Sequence, residues 1–449
     1  MTALPASTPY ALPGPRSRAL FSREQRFISP GIQQIATLAG VAMDHGQGAT
    51  LTDVDGNVYV DFVAGICVAS LGHAHPRYAA ALAEQAAQLT VGSFTSRART
   101  ELVETMAELA PSGLTRLQLF SGGAEAVEAA LRLAKSVTGH YEVVSFWGGF
   151  HGKTGGVLGN LGSTFKHGLG PLTPGTFLSP YPDQYRVPLN ATPDSVLDAC
   201  IAFLEQKLAI ETTGKLAAIL VEPIQGTGGN IIPPLGFLPR LREVADRHGA
   251  FLIVDEMICG FGRTGRMFGL ERDPVRADAI TIGKGFGAGF PVTGLLTSDA
   301  HCTATPYALP SGSSSSYGGN PLAAAAALAA IRINREEGLV ENSRRMGERL
   351  REGLRPFQDR YDFVGHVDGE GLLVRLELVS DRATRAPLDK ATCQRIFLEC
   401  FRRGLITMAY GPSVRLNPPL VVTEEQIDFG VSVLREVFDA IQDQRTEAR

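Results

Sequence analysis

The chain has 449 residues, and at about 150 residues per domain this length allows two or three domains or one large unit with appendages. Hydrophobic residues make up 44% and charged residues 20% of the chain, which argues against disordered, collagen-like and coiled-coil proteins. The net charge of −4 excludes a basic nucleic-acid footprint, and because no apolar run approaches about 18 residues we expect no membrane span.

Six cysteines lie far apart in the chain, in neither a CxxC pair nor a cluster with histidine. This spacing is typical of reduced, mostly buried thiols, so we expect no disulfide framework, no metal site and a cytoplasmic location. The first 30 residues contain several prolines and arginines but lack an apolar run of about 7–15 residues. We interpret them as a partly mobile arm and not as a secretory signal.

The first predicted elements are two strands within residues 49–62, where apolar and polar residues alternate around Asp55-Gly56, a strong hairpin signal. From about residue 75, short apolar runs alternate with amphipathic stretches. Runs that are apolar on both faces predict parallel strands covered by helices. The predicted strands are 116–120, 142–146, 216–221, 251–254, 279–282 and 292–296.

Helices are predicted between these strands. Residues 125–137 are amphipathic, and residues 236–248 have a 3.6-residue apolar repeat that stops at Gly249. Asn320-Pro321 predicts the N-cap and first turn of an alanine-rich helix. The sequence therefore predicts an α/β fold with three parts: an N-terminal arm and hairpin segment (1–74), a large doubly wound, mostly parallel domain (75–335) and a smaller α+β domain (336–449).

A glycine-rich turn, residues 121–125 (SGGAE), joins a predicted strand to a helix. Backbone N–H groups at such a turn can face an anion, and the helix N-terminus adds a partial positive charge. Phosphate is therefore the expected ligand. The turn lacks the Lys-Ser/Thr of a P-loop and the full dinucleotide fingerprint. A tight turn that merely needs glycine at positive φ explains the same residues equally well.

Asp255 and Lys284 each follow an apolar strand, which is where open α/β sheets bind ligands. A buried carboxylate needs a partner, and a desolvated lysine gains nucleophilic character. Taken singly, Asp255 is explained as well by a hydrogen-bonded carboxylate at the edge of the sheet, and Lys284 by a lysine on the surface. Together with the glycine-rich turn they match what pyridoxal phosphate requires: an anion site, an acid for the pyridine nitrogen and a lysine for the aldehyde.

Motifs along roughly residues 45–440 carry a specific family resemblance. They are GHAHP (72–76), GGAEAVEAALRLAK (122–135), FHG (150–152), EPIQGTGG (222–229), FLIVDEMICGFGRTGRMFG (251–269), TIGKGFGAGFP (281–291), SYGGNPLAAAAAL (316–328) and VRLNPPL (414–420). With these motifs the chain resembles the class III, fold-type I pyridoxal-phosphate aminotransferases. The resemblance implies homodimers with active sites at the subunit interface, and an N-terminal segment (1–74) that packs with the small domain.

The same resemblance implies roles for individual residues. The catalytic set would be Lys284, Asp255 and Glu222, the last orienting polar groups beside the cofactor. The cofactor-binding set would be Gly122, Gly123 and Ala124 at the phosphate, Phe150 and His151 at the ring, Asp255 at the ring nitrogen, Ile258 near the phenolic oxygen, Lys284 at the aldehyde and Ser316 at the phosphate in the neighbouring subunit.

Two positions depart from relatives that act on γ-aminobutyrate or ornithine. Those relatives carry Glu where this chain has Thr227 and Gln where it has Ile258. That Glu pairs with the arginine that binds the substrate carboxylate, which the resemblance places at Arg415. A bidentate guanidinium without this competing carboxylate suits a small 2-oxo acid, so pyruvate is the expected acceptor. The alternative for Arg415 is a surface ion pair.

The substrate-binding residues that the resemblance implies are otherwise apolar. Ile66, Cys67, Phe94, Phe150 and Ile258 predict a pocket for an amine or amino acid donor with an alkyl, aryl or long-chain body rather than a dicarboxylic donor. The version of the motif at residues 255–265 is similar to that of pyruvate-using ω-amino acid and amine aminotransferases. We therefore expect an aminotransferase that works by a ping-pong mechanism.

Two alternatives remain open at this point. A decarboxylating aminotransferase or an amino-acid epimerase would keep the cofactor but change the chemistry. The chain is similar to dialkylglycine decarboxylase around 137–146 and 366–383, but Ile66, Ile258 and Phe150 replace that enzyme's characteristic glutamines and tryptophan. A non-enzymatic aminotransferase-like regulator is disfavoured, since we expect no winged-helix or basic segment before residue 45.

Overall fold

The computed structural model describes residues 4–5 and 8–447, so part of the predicted N-terminal arm, residues 1–3 and 6–7, lies outside the described residues, as do residues 448–449. The chain divides into two compact units. The terminal unit comprises Met1–Pro76 and Glu341–Arg449, and the central unit comprises Arg77–Val340.

The helices, in chain order, are α1 (Pro15–Glu24), α2 (Gln34–Ala39), α3 (Ala64–Cys67), α4 (Pro76–Ala86), α5 (Arg97–Leu109), α6 (Gly123–Thr138), α7 (Val196–Glu211), α8 (Phe237–His248), α9 (Pro321–Glu336), α10 (Leu339–Leu354), α11 (Phe357–Arg360), α12 (Lys390–Arg402) and α13 (Glu424–Glu447). The strands are β1 (Met43–Gln47), β2 (Thr50–Asp53), β3 (Val58–Asp61), β4 (Arg116–Phe120), β5 (Glu142–Phe146), β6 (Thr176–Ser179), β7 (Leu216–Val221), β8 (Phe251–Asp255), β9 (Ala279–Ile282), β10 (Thr293–Thr297), β11 (Val364–Glu370), β12 (Leu373–Asp381), β13 (Ala386–Pro387), β14 (Leu405–Ile406) and β15 (Ser413–Leu416). Short 3₁₀ turns include Gly269–Arg272 and Lys284–Phe286.

The central unit is built on a sheet with the strand order β4-β10-β9-β8-β7-β5-β6. β8 is parallel to β7 and β9, and β5 is parallel to β6 and β7. The predicted α/β fold with a mostly parallel sheet is therefore confirmed. The parallel direction predicted for residues 292–296 is wrong, because β10 is antiparallel to both β4 and β9. A strand that is buried on both faces is apolar whichever way it runs, so its composition does not reveal its direction.

Helix α6 covers one face of this sheet through small side chains. Its buried alanines recur at helical spacing (Ala126, Ala129, Ala130 and Ala134) and lie in one apolar cluster with residues of β5, β7, β8 and β9. Small residues let the helix axis lie close to the strands, so the packing fixes the helix N-terminus beside the carboxyl ends of the parallel strands.

Two local predictions are confirmed. At the start of α9, Asn320 Oδ1 accepts a hydrogen bond from the Ala323 N–H at 2.8 Å, and Pro321 occupies the first helical position. In the terminal unit, β2 and β3 form the predicted antiparallel hairpin around Asp55-Gly56. Gly56 has φ +91°, a backbone conformation that side chains rarely adopt.

The terminal unit contains two sheets, and the hairpin belongs to the first, with the strand order β1-β2-β3-β14. β14 adds in parallel to β3 beside the hairpin. β12 is the centre of a second sheet, antiparallel to β11, β13 and β15. Arg415 lies on β15, directly opposite Arg375 of β12.

Candidate active site

Asp255 and Lys284 lie at the ends of two neighbouring parallel strands. Asp255 is the last residue of β8 and pairs with Thr281 of β9, and Lys284 follows the end of β9 closely. Parallel neighbours end at the same edge of a sheet, so both side chains reach one cavity. This cavity is lined by Phe150, Glu222, Gly226, Thr227, Asp255, Met257, Ile258 and Lys284.

The carboxylate of Asp255 is buried and held from three directions. Oδ1 accepts hydrogen bonds from the Met257 N–H and the Thr281 hydroxyl, each at 3.0 Å. Oδ2 lies 2.7 Å from Nδ1 of His151, whose ring is also buried. These contacts compensate for lost hydration and fix the direction in which the carboxylate faces the cavity.

Lys284 has an unusual backbone conformation. Its φ is +46°, in the left-handed region that non-glycine residues occupy at a cost of about 1–2 kcal/mol. The flanking glycines of residues 283–289 and the 3₁₀ turn Lys284–Phe286 hold it in place. Such strain persists where the fold over-determines a residue, which occurs often at functional sites. Here its result is that the half-buried lysine faces the cavity beside Asp255.

The loop after β5 brings Phe150 to the same cavity and His151 to Asp255. Gly152, at φ +118°, makes the approach possible, because a Cβ there would lie 2.5 Å from the Cβ of Ala124. The loop is also tied to Glu222, whose Oε1 accepts from the Phe150 N–H at 3.0 Å and whose Oε2 accepts from the Gly226 N–H at 2.9 Å. Burial raises the pKa of Glu222 to about 7.

The N-terminus of α6 lies next to this loop. The N–H of Gly122 donates to Oε2 of Glu125 at 2.8 Å, as does the Ser121 N–H at 3.0 Å. A glutamate three residues after the N-cap reaches back in this way in capping boxes. Gly123 and Ala124 open the helix, and N–H groups of a first turn lack an intrahelical acceptor.

Two further predicted residues belong to the central unit. Ser316 is exposed on the loop before α9, and Phe94, 86% exposed, lies between α4 and α5. Ile66 and Arg415 belong to the terminal unit, where both are partly buried. Ile66 sits in α3, a turn whose residues Ala64, Ile66 and Cys67 all have positive φ.

Sequence reasoning missed several residues around the cavity. In the sequence Thr281 is only one residue of an apolar strand, and its contact with Asp255 depends on the β8–β9 register. Phe165 packs edge-on against Phe150 at 5.9 Å between ring centroids, and Lys153 Nζ lies 4.4 Å from the Phe165 ring centroid. Lys153 and Phe165 both follow the FHG motif within a long loop. Their closeness to this motif in the sequence is the signal that could have identified them.

Comparison with known proteins identifies the family. The family model described as aminotransferase class-III matches residues 33–438. The 5-aminovalerate aminotransferase DavT of Pseudomonas aeruginosa is 33% identical over 435 residues, 95% of this chain and 99% of the relative. The alanine/serine racemase of Pyrococcus horikoshii is 31% identical and covers 95% of this chain and 91% of its own.

Solved structures agree with this result. An amine transaminase from an uncultivated Pseudomonas species, in its PLP-bound form, has a TM-score of 0.87 and 33% identity, with 92% of this chain and 98% of that chain covered. The chain belongs to the class III aminotransferases. Its predicted fold, its activity as a transaminase and its cofactor, pyridoxal 5′-phosphate, are thereby confirmed.

The cavity of the aminotransferase fits this cofactor. A buried carboxylate held by three donors suits a positively charged ring nitrogen, and a lysine amine shares the same cavity. The adjacent N-terminus of α6 supplies N–H donors for an anion. In residues 4–5 and 8–447, no group of three or more His, Cys, Asp or Glu residues could hold a metal ion.

Within the described part of the chain, no helix is long and apolar enough to span a bilayer. Five of the six cysteines are buried, and Cys302 is partly exposed.

A second buried carboxylate predicts how the stability of the aminotransferase depends on pH. Glu256 accepts hydrogen bonds from the Gly269 and Leu270 N–H groups at 2.8 and 2.7 Å, and burial raises its pKa from 4.5 to about 7. Because the native pKa lies above the unfolded one, its stabilising contribution is complete below about pH 4.5 and is lost as the pH rises to about 7, on the order of 3 kcal/mol.

We therefore expect Glu256→Gln to reduce the fall in stability between about pH 5 and about pH 8. Urea unfolding of both proteins at the two pH values measures the difference, and the uniform cost of an altered hydrogen bond cancels in that comparison. Glu84→Gln, at an exposed carboxylate, is the control and should behave like the parent protein. An unchanged pH dependence in Glu256→Gln would contradict the raised pKa.

Proposed function

We propose that this aminotransferase transfers an amino group from an amine or amino acid with an apolar or long-chain body to a 2-oxo acid, pyruvate, by a ping-pong mechanism. The observation that carries the proposal is the cavity wall beside Lys284, where Phe150, Met257 and Ile258 are apolar and Thr227 is uncharged. Such a wall favours burial of a hydrocarbon body over a second carboxylate. The names of the 5-aminovalerate aminotransferase and amine transaminase relatives support the same donor class.

The residues of the cavity suggest how the cofactor is held. In this proposal the contacts are Gly122, Gly123 and Ala124 to its phosphate, Phe150 to its ring, Asp255 to the ring nitrogen, Ile258 to the side of the phenolic oxygen and Lys284 to the aldehyde. When bound, pyridoxal phosphate supplies an electron sink for the negative charge that develops at the donor carbon.

Lys284 has two roles in the proposed reaction. Its amine would hold the aldehyde of the cofactor before the donor binds, and its Nζ would take the proton from the donor carbon during the reaction. Asp255 presents a fixed negative charge, and His151 and Thr281 keep that charge in place. Glu222 positions the Phe150 loop through the Phe150 and Gly226 N–H groups and closes the cavity on that side.

The acceptor and the subunit arrangement complete the proposal. Arg415 anchors the carboxylate of the 2-oxo acid through its planar guanidinium. The exposed positions of Ser316 and Phe94 in a single chain support a homodimer in which these residues reach the partner's active site, with Ile66 contributing to the donor pocket. The scattered cysteines, most of them buried, support a cytoplasmic location.

A matrix of donors and acceptors tests this function. With one apolar amine as donor, we expect kcat/KM for pyruvate to exceed that for 2-oxoglutarate, and Arg415→Leu to raise the pyruvate KM at least about tenfold because a charge-assisted bidentate contact is lost. The amine KM should change little. Arg402→Leu, at an exposed arginine of α12, is the matched control. A strong preference for glutamate and 2-oxoglutarate would contradict the proposal.

The racemase relative favours one second candidate, an amino-acid racemase or epimerase that uses the same lysine and cofactor. A decarboxylating aminotransferase is the corresponding alternative within the family. Incubation of single enantiomers without any oxo acid distinguishes them: racemisation would support the epimerase, CO₂ release the decarboxylating enzyme, and the absence of both the proposed transaminase.

A further inference from the structure

The loop before α9, which carries Ser316, is attached at its start to two neighbouring elements of the central unit. Gln118 Nε2 on β4 donates a hydrogen bond to the Ser313 carbonyl at 3.2 Å. Arg132 Nη1 on α6 donates to the Gly312 carbonyl at 3.1 Å. Because β4 leads directly into α6, a single strand–turn–helix unit holds the start of the loop from two sides.

The two accepting carbonyls lie in a tight turn. The Ser313 side chain is buried, and its hydroxyl donates to the Tyr307 carbonyl at 3.1 Å. The Gly312 N–H donates to the Leu309 carbonyl at 2.7 Å, and a Cβ on Gly312 would lie only 2.9 Å from that oxygen. Such a close approach of two backbone segments requires glycine, so the turn fixes the direction of both acceptors.

The end of the loop is also fixed. Gly318 passes so close to β4 that a Cβ there would overlap the Leu119 carbonyl. Asn320, the N-cap of α9, donates from Nδ2 to the Tyr317 carbonyl at 2.7 Å. Ser316 is therefore an exposed residue in a short segment whose two ends are held by the sheet and its helices.

The unit that holds this loop is also the unit that holds the phosphate in the proposed function. The turn from β4 into α6 supplies Gly122, Gly123 and Ala124 to the cofactor of its own subunit. Arg132 follows Ala124 by eight residues, about 12 Å along the same helix. One helix thus connects the phosphate site of a subunit with the loop that presents Ser316 to the partner.

We propose that Arg132 and Gln118 are positioning residues for the cofactor of the partner subunit. They fix the loop so that the Ser316 hydroxyl reaches the neighbouring phosphate, without contacting that cofactor themselves. The inference rests on the proposed homodimer and on the proposed role of Ser316. It adds that each phosphate is held by the β4–α6 units of both subunits, directly by the turn of its own subunit and through the anchored loop of the other.

The release of pyridoxamine phosphate tests the inference, because no bond to Lys284 holds this aminated form of the cofactor. The loaded enzyme is transferred to cofactor-free buffer, and the free cofactor is measured over time after filtration. We expect Ser316→Ala to speed release about tenfold, since a hydrogen bond to a charged phosphate is lost. Arg132→Met and Gln118→Leu should each speed it about fivefold, because the loop then holds the hydroxyl in place only part of the time.

A double-mutant cycle separates positioning from a general loss of structure. If Arg132 acts through Ser316, Arg132→Met should add less than about twofold to the release rate of Ser316→Ala, whereas an independent defect would multiply it about fivefold. Arg132→Lys keeps a charged donor for what is a single hydrogen bond, so its release rate should stay within about twofold of the parent. Lys135→Met, one turn further along α6, is the control and should release at the parent rate.

Three results would overturn the inference. They are release at the parent rate in folded Arg132→Met and Gln118→Leu, multiplied effects in the double variant, and no rescue by Arg132→Lys. Gln118→Leu decides the question even where Arg132→Met fails to fold, because it removes the other anchor of the same loop.

The failure of the proposed function is distinguishable. If Ser316→Ala itself releases the cofactor at the parent rate, the proposed role of Ser316 is wrong, and the inference with it. If Ser316→Ala speeds release and neither anchor variant does, only the roles of Arg132 and Gln118 are wrong. None of these rates depends on which donor or acceptor the enzyme uses, so a failure of the proposed substrates would appear separately in the matrix of donors and acceptors.

Discussion

Replacement of Lys284 by alanine is expected to abolish transamination while the fold is retained. The lysine amine is the one basic nucleophile in the cavity lining of the described structure, where it faces Asp255. Alanine removes both the nucleophile that holds the cofactor and the base that takes the donor proton, so we expect a loss of more than about 1,000-fold in kcat. Alanine formation from pyruvate and an apolar amine measures the loss.

The fold of this variant should survive. Lys284 is only half-buried, so truncation removes little packing. Its φ of +46° is unfavourable for lysine and alanine alike, so the substitution leaves the backbone strain unchanged. Circular dichroism and urea unfolding should match those of the parent protein. Lys215→Ala, at an exposed lysine before β7, is the matched control and should keep full activity. Turnover of Lys284→Ala at the parent rate would rule out the proposed role.

Asp255→Asn is expected to have the second largest effect, a loss on the order of 100-fold or more in kcat. The substitution keeps the size of the side chain, and Oδ1 can still accept from the Met257 N–H and the Thr281 hydroxyl. It removes the negative charge that faces the ring nitrogen in the proposal, and a neutral amide does not hold a proton there. The donor half-reaction, followed by the change in cofactor absorbance on mixing with amine, reports this step.

Glu256→Gln is the matched control for Asp255→Asn. It also removes one buried carboxylate, at the next position in the chain, but its partners are the Gly269 and Leu270 N–H groups outside the cavity lining. The half-reaction should therefore proceed at the parent rate in Glu256→Gln. Equal losses in the two variants would mean that the charge of Asp255 has no special role and that both act through stability.

Much of the central sheet could be predicted because a strand that is buried on both faces consists of a run of apolar residues. β4, β5, β7, β8 and β9 all coincide with predicted apolar runs to within a residue. The direction of β10 could not be predicted, because an apolar run has the same composition whether the strand is parallel or antiparallel to its neighbours. The start of α9 was predictable from two residues, since Asn320 and Pro321 act locally.

The site was predictable where function depends on position along one element. Asp255 and Lys284 follow apolar strands, and neighbouring parallel strands must end at one edge. Contacts that depend on strand register or on the path of a loop could not be predicted in the same way, because no local sequence pattern relates the two residues. Examples are the hydrogen bond from Thr281 to Asp255, the hydrogen bond from the Gly122 N–H to Glu125, and the pairing of Arg375 with Arg415.

One measurement tests the shared basis of these proposals most directly. The purified protein is incubated with pyridoxal phosphate, treated with borohydride to make any lysine–cofactor bond permanent, digested and mapped by mass spectrometry. We expect one pyridoxyl-modified peptide, with the added mass on Lys284, and none in Lys284→Ala. Modification at a different lysine, or a colourless protein that borohydride leaves unmodified, would contradict the assignment of this cavity as the active site.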